Sequence, residues 1–206
     1  MVWAVGDSHS RIFEEIPGVE CFHIGPRLMY SVGHKGLKSD QEETSKLTDL
    51  GNLELYEMGI KEGDTVIFCL GEIDCRCHVW NHSKETPYQQ VIENIIEKYI
   101  QFILDTINYN MIKACVYNVV PPKKSNGVDG NGHYPFTGTN EERRSYHLYM
   151  NYLLKEYCYK HEILFIDIYD NYTTSEGFLI PEQSDGCVHI KNPYFVERFL
   201  KKHSII

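Results

Sequence analysis

The stretch Val2-Trp3-Ala4-Val5-Gly6-Asp7-Ser8-His9-Ser10 decides how this chain is read. An unbroken run from Val2 to Gly6 lacks the polar alternation of a half-exposed strand and stops at an acid and a hydroxyl. Such a run fits a strand of a parallel sheet that is covered on both faces. Open α/β sheets bind ligands beyond the carboxyl ends of their strands, so Gly6-Asp7-Ser8 falls where chemistry is expected.

Working outward, the runs Val19 to Ile24, Thr65 to Gly71, Lys113 to Val120 and Ile163 to Ile168 read the same way. Helical periodicity lies between them. From Pro87 to Asn108, Val91, Ile95, Tyr99, Phe102, Ile103 and Ile107 recur on one face, opposite Glu93, Glu97, Lys98 and Gln101. Further helices are expected over Asn140 to His161, with Glu141 and Glu142 suiting the dipole of its first turn, and over Glu43 to Met58 and Pro193 to His203. The predicted fold is a three-layer α/β fold around a five-stranded parallel sheet with right-handed crossovers. Gly25 to Gln41 and Pro121 to Thr139 have no period. The second is too long for a simple connection, is rich in turn formers, and reads as a cover over a site.

With 206 residues, 42% hydrophobic and 24% charged, the chain is expected to form one domain over 1–206. Its formal charge of -9 would repel a phosphate backbone, so nucleic acid is disfavoured as a partner. Apolar runs such as Val66 to Leu70 are too short to cross a bilayer, and the first residues lack a basic n-region. The expectation is a cytoplasmic protein without membrane insertion. Seven cysteines are an odd number, and Cys69 and Cys115 sit inside apolar runs, which argues for free thiols rather than a disulfide framework.

A serine at a sharp turn from strand into helix stands exposed at the sheet's edge, near backbone N–H groups that can receive an oxyanion, so Ser8 is a candidate nucleophile. The competing reading is that Asp7 or Ser8 only caps a helix beginning near Arg11. Far along the chain, Ser184-Asp185-Gly186-Cys187-Val188-His189 offers an imidazole and a carboxylate, the pair a serine needs as base and orienter. After the third strand, Gly71-Glu72-Ile73-Asp74-Cys75-Arg76 places two acids and an arginine where burial demands pairing. A two-metal phosphoesterase site built from Asp7, His9, Asp74, Asn118 and His189 lacks a second histidine-rich block.

Taken together, these segments resemble the SGNH, or GDSL-type, hydrolase superfamily. Gly6-Asp7-Ser8 matches its first block, Asp185 to His189 its last, and Gly71 to Asp74 holds the place of its Gly-x-Asn-Asp block. Gly25 in His23-Ile24-Gly25-Pro26 corresponds to its oxyanion-hole glycine. The strings Gly-Asp-Ser-His-Ser and Gly-Glu-Ile-Asp-Cys-Arg also look like a subgroup found among glycan-biosynthesis proteins. The resemblance implies a flavodoxin-like sheet and ester hydrolysis or acyl transfer without metal or cofactor. It further implies Ser8 as nucleophile, His189 as base, Asp185 as its orienter, and an oxyanion hole drawn from Ser8 and Gly25. Two departures stand out: Ile73 occupies the asparagine position, and Asp185 to His189 is one residue longer than the usual Asp-x-x-His. Arg76 or Asn118 is expected to replace the missing donor, although Arg76 locked to Glu72 or Asp74 fits equally. Asp7, Glu72, Asp74 and Asn118 are expected to support the site. Tyr134 and Phe136 in the covering segment suit stacking on a sugar, or else packing. The expected substrate is a small-molecule or glycan O-acyl ester, most simply an O-acetyl ester. An O-acetyltransferase or a catalytically impaired carbohydrate-binding protein are the rivals.

Overall fold

The computed structural model describes residues 1–37, 55–125 and 134–206. Strands β1 (Val2–Gly6), β2 (Val19–His23), β3 (Thr65–Cys69), β4 (Lys113–Tyr117) and β5 (Leu164–Ile166) form one sheet. Its order is β2-β1-β3-β4-β5, and every neighbouring pair is parallel. Residues within a strand divide between two cores. Val5, Val66, Phe68 and Val116 face one, whereas Ala4, Ile67, Cys69, Cys115 and Tyr117 face the other. That double burial is why the strands read as continuous apolar runs.

The first face carries α1 (Met29–Lys35), α3 (Tyr88–Asn110) and α4 (Asn140–Lys160), and the second carries α5 (Tyr194–Lys202) with the 3-10 turn Ser8–Glu15. A short helix α2 (Val79–His82) continues a π-helical turn, Asp74–His78, that follows β3. Helix α3 buries Ile92, Ile96 and Ile100 beside the expected Ile95, Tyr99, Phe102 and Ile103, because it packs between α1 and α4 as well as on the sheet. Helix α4 starts with a capping box in which Thr139 accepts from Glu142 N–H at 3.1 Å and Glu142 accepts from Thr139 N–H at 2.7 Å.

Four expectations need correction or limits. The aperiodic reading of Gly25 to Gln41 missed α1, whose N-terminus is capped from another segment: buried Asp74 accepts from Met29 N–H at 2.6 Å and from Tyr30 N–H at 3.0 Å. The helix expected near Arg11 is a 3-10 turn beginning already at Ser8. Most of the Glu43 to Met58 helix and the middle of the Pro121 to Thr139 cover lie outside the described residues. No helix among the described residues is long and apolar enough to cross a membrane. All seven cysteines are free thiols.

Candidate active site

β1 delivers Ser8 to the carboxyl edge of the sheet, and Asp7 shapes the turn. The Asp7 carboxylate accepts from His9 N–H at 2.9 Å as the cap of the 3-10 turn, while Ser10 Oγ donates to Asp7 C=O at 2.8 Å. The cap thus belongs to Asp7, which leaves the Ser8 hydroxyl available to another partner. That hydroxyl lies 2.8 Å from His189 Nε2. On the other side of the ring, His189 Nδ1 lies 2.9 Å from Asp185 Oδ2. With the proton on Nδ1, Nε2 is left to accept from Ser8.

The longer spacing between Asp185 and His189 is accommodated by the loop itself. Asp185 N–H donates to His189 C=O at 3.1 Å, Ser184 bridges to Ile190, and Gly186 takes a φ of 92°. Burial would raise the Asp185 carboxyl, but the hydrogen bonds from His189 and Cys187 N–H hold it below the usual range. Burial lowers His189, and positive charge on His9 lowers it further against the pull of Asp185. The imidazole is therefore predominantly unprotonated at neutral pH, the form that accepts a proton. A cavity of about 360 Å³ opens here, lined among others by Ser8, Arg11, Tyr117, Asp185 and His189. A larger one of about 580 Å³ beside Tyr30, His78 and Glu93 touches none of these reactive side chains.

The third segment builds a buried ionic network behind Ser8. Glu72 receives Arg76 Nε at 2.7 Å and Nη2 at 3.0 Å, and Arg76 Nη1 donates to Tyr134 C=O. Burial would raise Glu72, but His9 and Arg76 hold it well below the usual carboxylate range. The neighbouring acids go the other way: burial pushes Asp7 up to about 6 and Asp74 up to about 7.

Of the residues expected to replace the missing amide donor, Asn118 is corrected. Its Oδ1 accepts from Ile168 N–H at 3.0 Å and its Nδ2 donates to Val119 C=O at 3.0 Å, so the side chain knits β4 to the end of β5. Arg76 takes the locked alternative, with each of its nitrogens engaged. Ile73 is buried, 3% exposed. Asp74 caps α1 with both carboxylate oxygens. Gly25 follows β2, whose His23 pairs with Gly6, and its φ of 81° leaves open space where a Cβ would stand. Tyr134 and Phe136 are not among the residues lining the Ser8 cavity. Phe136 has the Arg76 guanidinium 5.4 Å and the Arg143 guanidinium 5.1 Å from its ring centre, and Thr137 N–H donates to Arg76 C=O at 3.0 Å.

Sequence reasoning gave no role to Arg143 or His147, and to His9 only that of a ligand in the two-metal alternative. Arg143 Nη1 donates to Thr137 C=O at 3.0 Å and Gly138 C=O at 2.7 Å, which anchors the covering segment. His147 is buried against Val120 C=O at 2.7 Å, and burial pushes it down to about 4. Nothing local marks either residue. His9 stood in plain view beside Ser8, and the signal was the count of buried acids after β3, Glu72 and Asp74 against the single cation Arg76. Among the described residues, no group of three or more His, Cys, Asp or Glu side chains is arranged to hold a metal ion.

No protein-family model matches the sequence, and comparison with curated proteins gives no match. Solved structures do match. A candidate acylhydrolase from Bacteroides fragilis superposes with a TM-score of 0.60 at 15% identity, over 98% of this chain and 85% of that one. A GDSL-like lipase from Bacteroides thetaiotaomicron gives 0.57 at 13% identity, over 98% and 86%. A catalytic mutant of an acetylxylan esterase from Geobacillus stearothermophilus gives 0.50 at 12% identity, over 98% and 92%. The fold of this chain is thus the one these acylhydrolases, lipases and esterases share.

Proposed function

We propose that the protein is an SGNH-type serine esterase acting on an O-acyl, most simply O-acetyl, ester of a carbohydrate. The observation that carries this reading is the chain of contacts from Ser8 Oγ to His189 Nε2, 2.8 Å, and from His189 Nδ1 to Asp185, 2.9 Å. In the proposed sequence His189 takes the Ser8 proton as Oγ bonds to the ester carbonyl carbon. The tetrahedral oxyanion then collapses, and the departing sugar oxygen receives the proton from His189. Water, activated by the same imidazole, resolves the acyl-enzyme and returns free Ser8. A second sugar hydroxyl in place of water would make the same site an O-acetyltransferase. The oxyanion is assigned to the Ser8 and Gly25 backbone N–H groups. Support for a sugar ester comes from the glycan-associated motifs, the acidic charge of the chain, and the likeness to an acetylxylan esterase.

Buried Ile73 favours a second reading, a carbohydrate-binding protein with impaired turnover. Losing one side-chain oxyanion donor lowers rates by about a hundred- to a thousandfold. Labelling with a fluorophosphonate probe separates the two. Labelling at Ser8, abolished in Ser8→Ala, together with acetate release from acetylated saccharides supports the esterase. A folded protein that binds saccharides but never labels supports the binder, and a clear preference for long-chain aryl esters without action on saccharides overturns the substrate class.

A further inference from the structure

A second histidine lies directly against the first. His9 is 7% exposed, and its ring centre is 4.8 Å from that of His189, with the planes tilted by 52°. Its Nε2 lies 3.4 Å from Glu72 Oε2, within ion-pair range although off the line of a good hydrogen bond. Its backbone N–H is held by Asp7, and Glu72 is in turn held by Arg76. No step proposed for Ser8, His189 and Asp185 uses this side chain.

We propose that His9 is a positioning residue: its ring, paired with Glu72 and packed against His189, carries a positive charge that keeps His189 available as the base for Ser8 under acidic conditions. This rests on the reading of Ser8 and His189 as nucleophile and base.

The surroundings of His9 give the order in which protons arrive. Asp7 faces it from its own turn, Glu72 and Arg76 from the end of β3, and His189, backed by Asp185, from the last loop; His147 and Arg143 reach toward the network from α4. Burial opposes a charge on His9, but Asp7 and Glu72 outweigh it and raise its affinity for a proton; below about pH 6, where Asp7 itself takes a proton, Glu72 carries the pairing. His189 is shifted the other way, by burial and by His9 itself. As pH falls, His9 therefore charges first, and a cation 4.8 Å away then resists the protonation of His189. Two unit charges at that separation alter an equilibrium about fourfold even with the screening of bulk water, and more where water is partly excluded. An uncharged ring of similar shape would fill the same space without this effect.

Two measurements test the proposal. The first is an NMR titration of the imidazoles in the intact wild-type protein, in which His9 is expected to take its proton at higher pH than His189. The second is the pH profile of fluorophosphonate labelling, each protein scaled to its own alkaline plateau. In His9→Gln and in His9→Phe the acid limb should move to higher pH, so that scaled labelling at the acid end falls at least about fourfold. Protonation of His189 before His9, a variant profile that superimposes on the wild type, or full restoration by His9→Phe would each overturn the proposal. If the variants do not fold, the wild-type titration decides alone. If the wild type never labels, the esterase reading fails while the order of protonation still decides this one.

Discussion

Replacing Gly6 by alanine probes the tightest backbone approach in the sheet, two residues from Ser8. Gly6 ends β1 opposite Cys69, the last residue of β3. A Cβ at Gly6 would stand 2.7 Å from Cys69 Cβ and 2.8 Å from the Cys69 carbonyl carbon, with the carbonyl oxygen closer still. Carbon atoms in contact prefer about 3.5–4.0 Å. The obstruction is largely backbone, so no rotamer change relieves it, and the two strands must part by roughly an ångström. That movement strains the bond from Asp7 N–H to Cys69 C=O, 3.2 Å, and the bond from Ile24 N–H to Gly6 C=O, 2.9 Å. Overpacking costs about 1–3 kcal/mol and a weakened buried hydrogen bond about 1 kcal/mol. The expected loss is about 2–4 kcal/mol, or about 5–15 °C in Tm for a chain of this length. Urea unfolding followed by circular dichroism measures it as a lower midpoint at unchanged slope. Gly18→Ala is the control: a Cβ there meets nothing within 4 Å, so only the strain of its φ of 88° remains. A loss at Gly6 below about 1 kcal/mol would refute the steric reasoning.

Asp185→Asn keeps the shape of the orienting group but removes its charge and its preference for a proton on His189 Nδ1; labelling of Ser8 should slow by about a hundredfold or more at constant fold. Asp74→Ala leaves the Met29 and Tyr30 N–H groups without a cap inside the protein, and urea unfolding should show a loss of about 2–4 kcal/mol. Burial raises Asp7 from 3.8 to about 6, so its protonated form is the one the fold favours. Its contribution is complete below the unfolded value and is lost as pH rises through the folded one. The urea midpoint should accordingly fall between about pH 4 and pH 6, and Asp7→Asn should flatten that slope. Glu72 has the opposite sign. Its folded value is depressed, so its contribution is present above 4.5 and drains away on acidification, and Glu72→Gln should remove that acid limb of stability.

The strands were legible because burial on both faces leaves an unmistakable apolar run. Their ends were not: Leu70, Val119 and Val120 lie beyond the paired ladder yet stay apolar because they still belong to the two cores, so the expected strands ran past β3 and β4. Helix α1 was hidden for a different reason. Its cap is a carboxylate 45 residues away in sequence, and Gly33 sits within it because a Cβ there would meet Tyr99 N at 2.8 Å. A glycine in mid-helix and an absent local cap both argue against a helix until the partner surface is known. At the candidate site, two acids and an arginine in one short segment called for pairing on burial but left Arg76 open between Glu72, Asp74 and an oxyanion role, and the structure gives it to Glu72; the anchoring role of Arg143 depends on loop carbonyls that no pattern in the sequence specifies.

Ser8 and His189 meet across 181 positions of sequence, and this has a consequence for the growing polypeptide. β1 pairs with β2 and β3, so the serine can be seated once those strands have emerged and docked. The imidazole arrives only with the loop ahead of α5, after β4, α4 and β5 have been made. Because domains mature from the first residues onward during translation, a ribosome-bound intermediate would carry a displayed hydroxyl without a proton acceptor. On the proposed reading, reactivity at Ser8 thus waits until the segment that carries His189 has been made and docked.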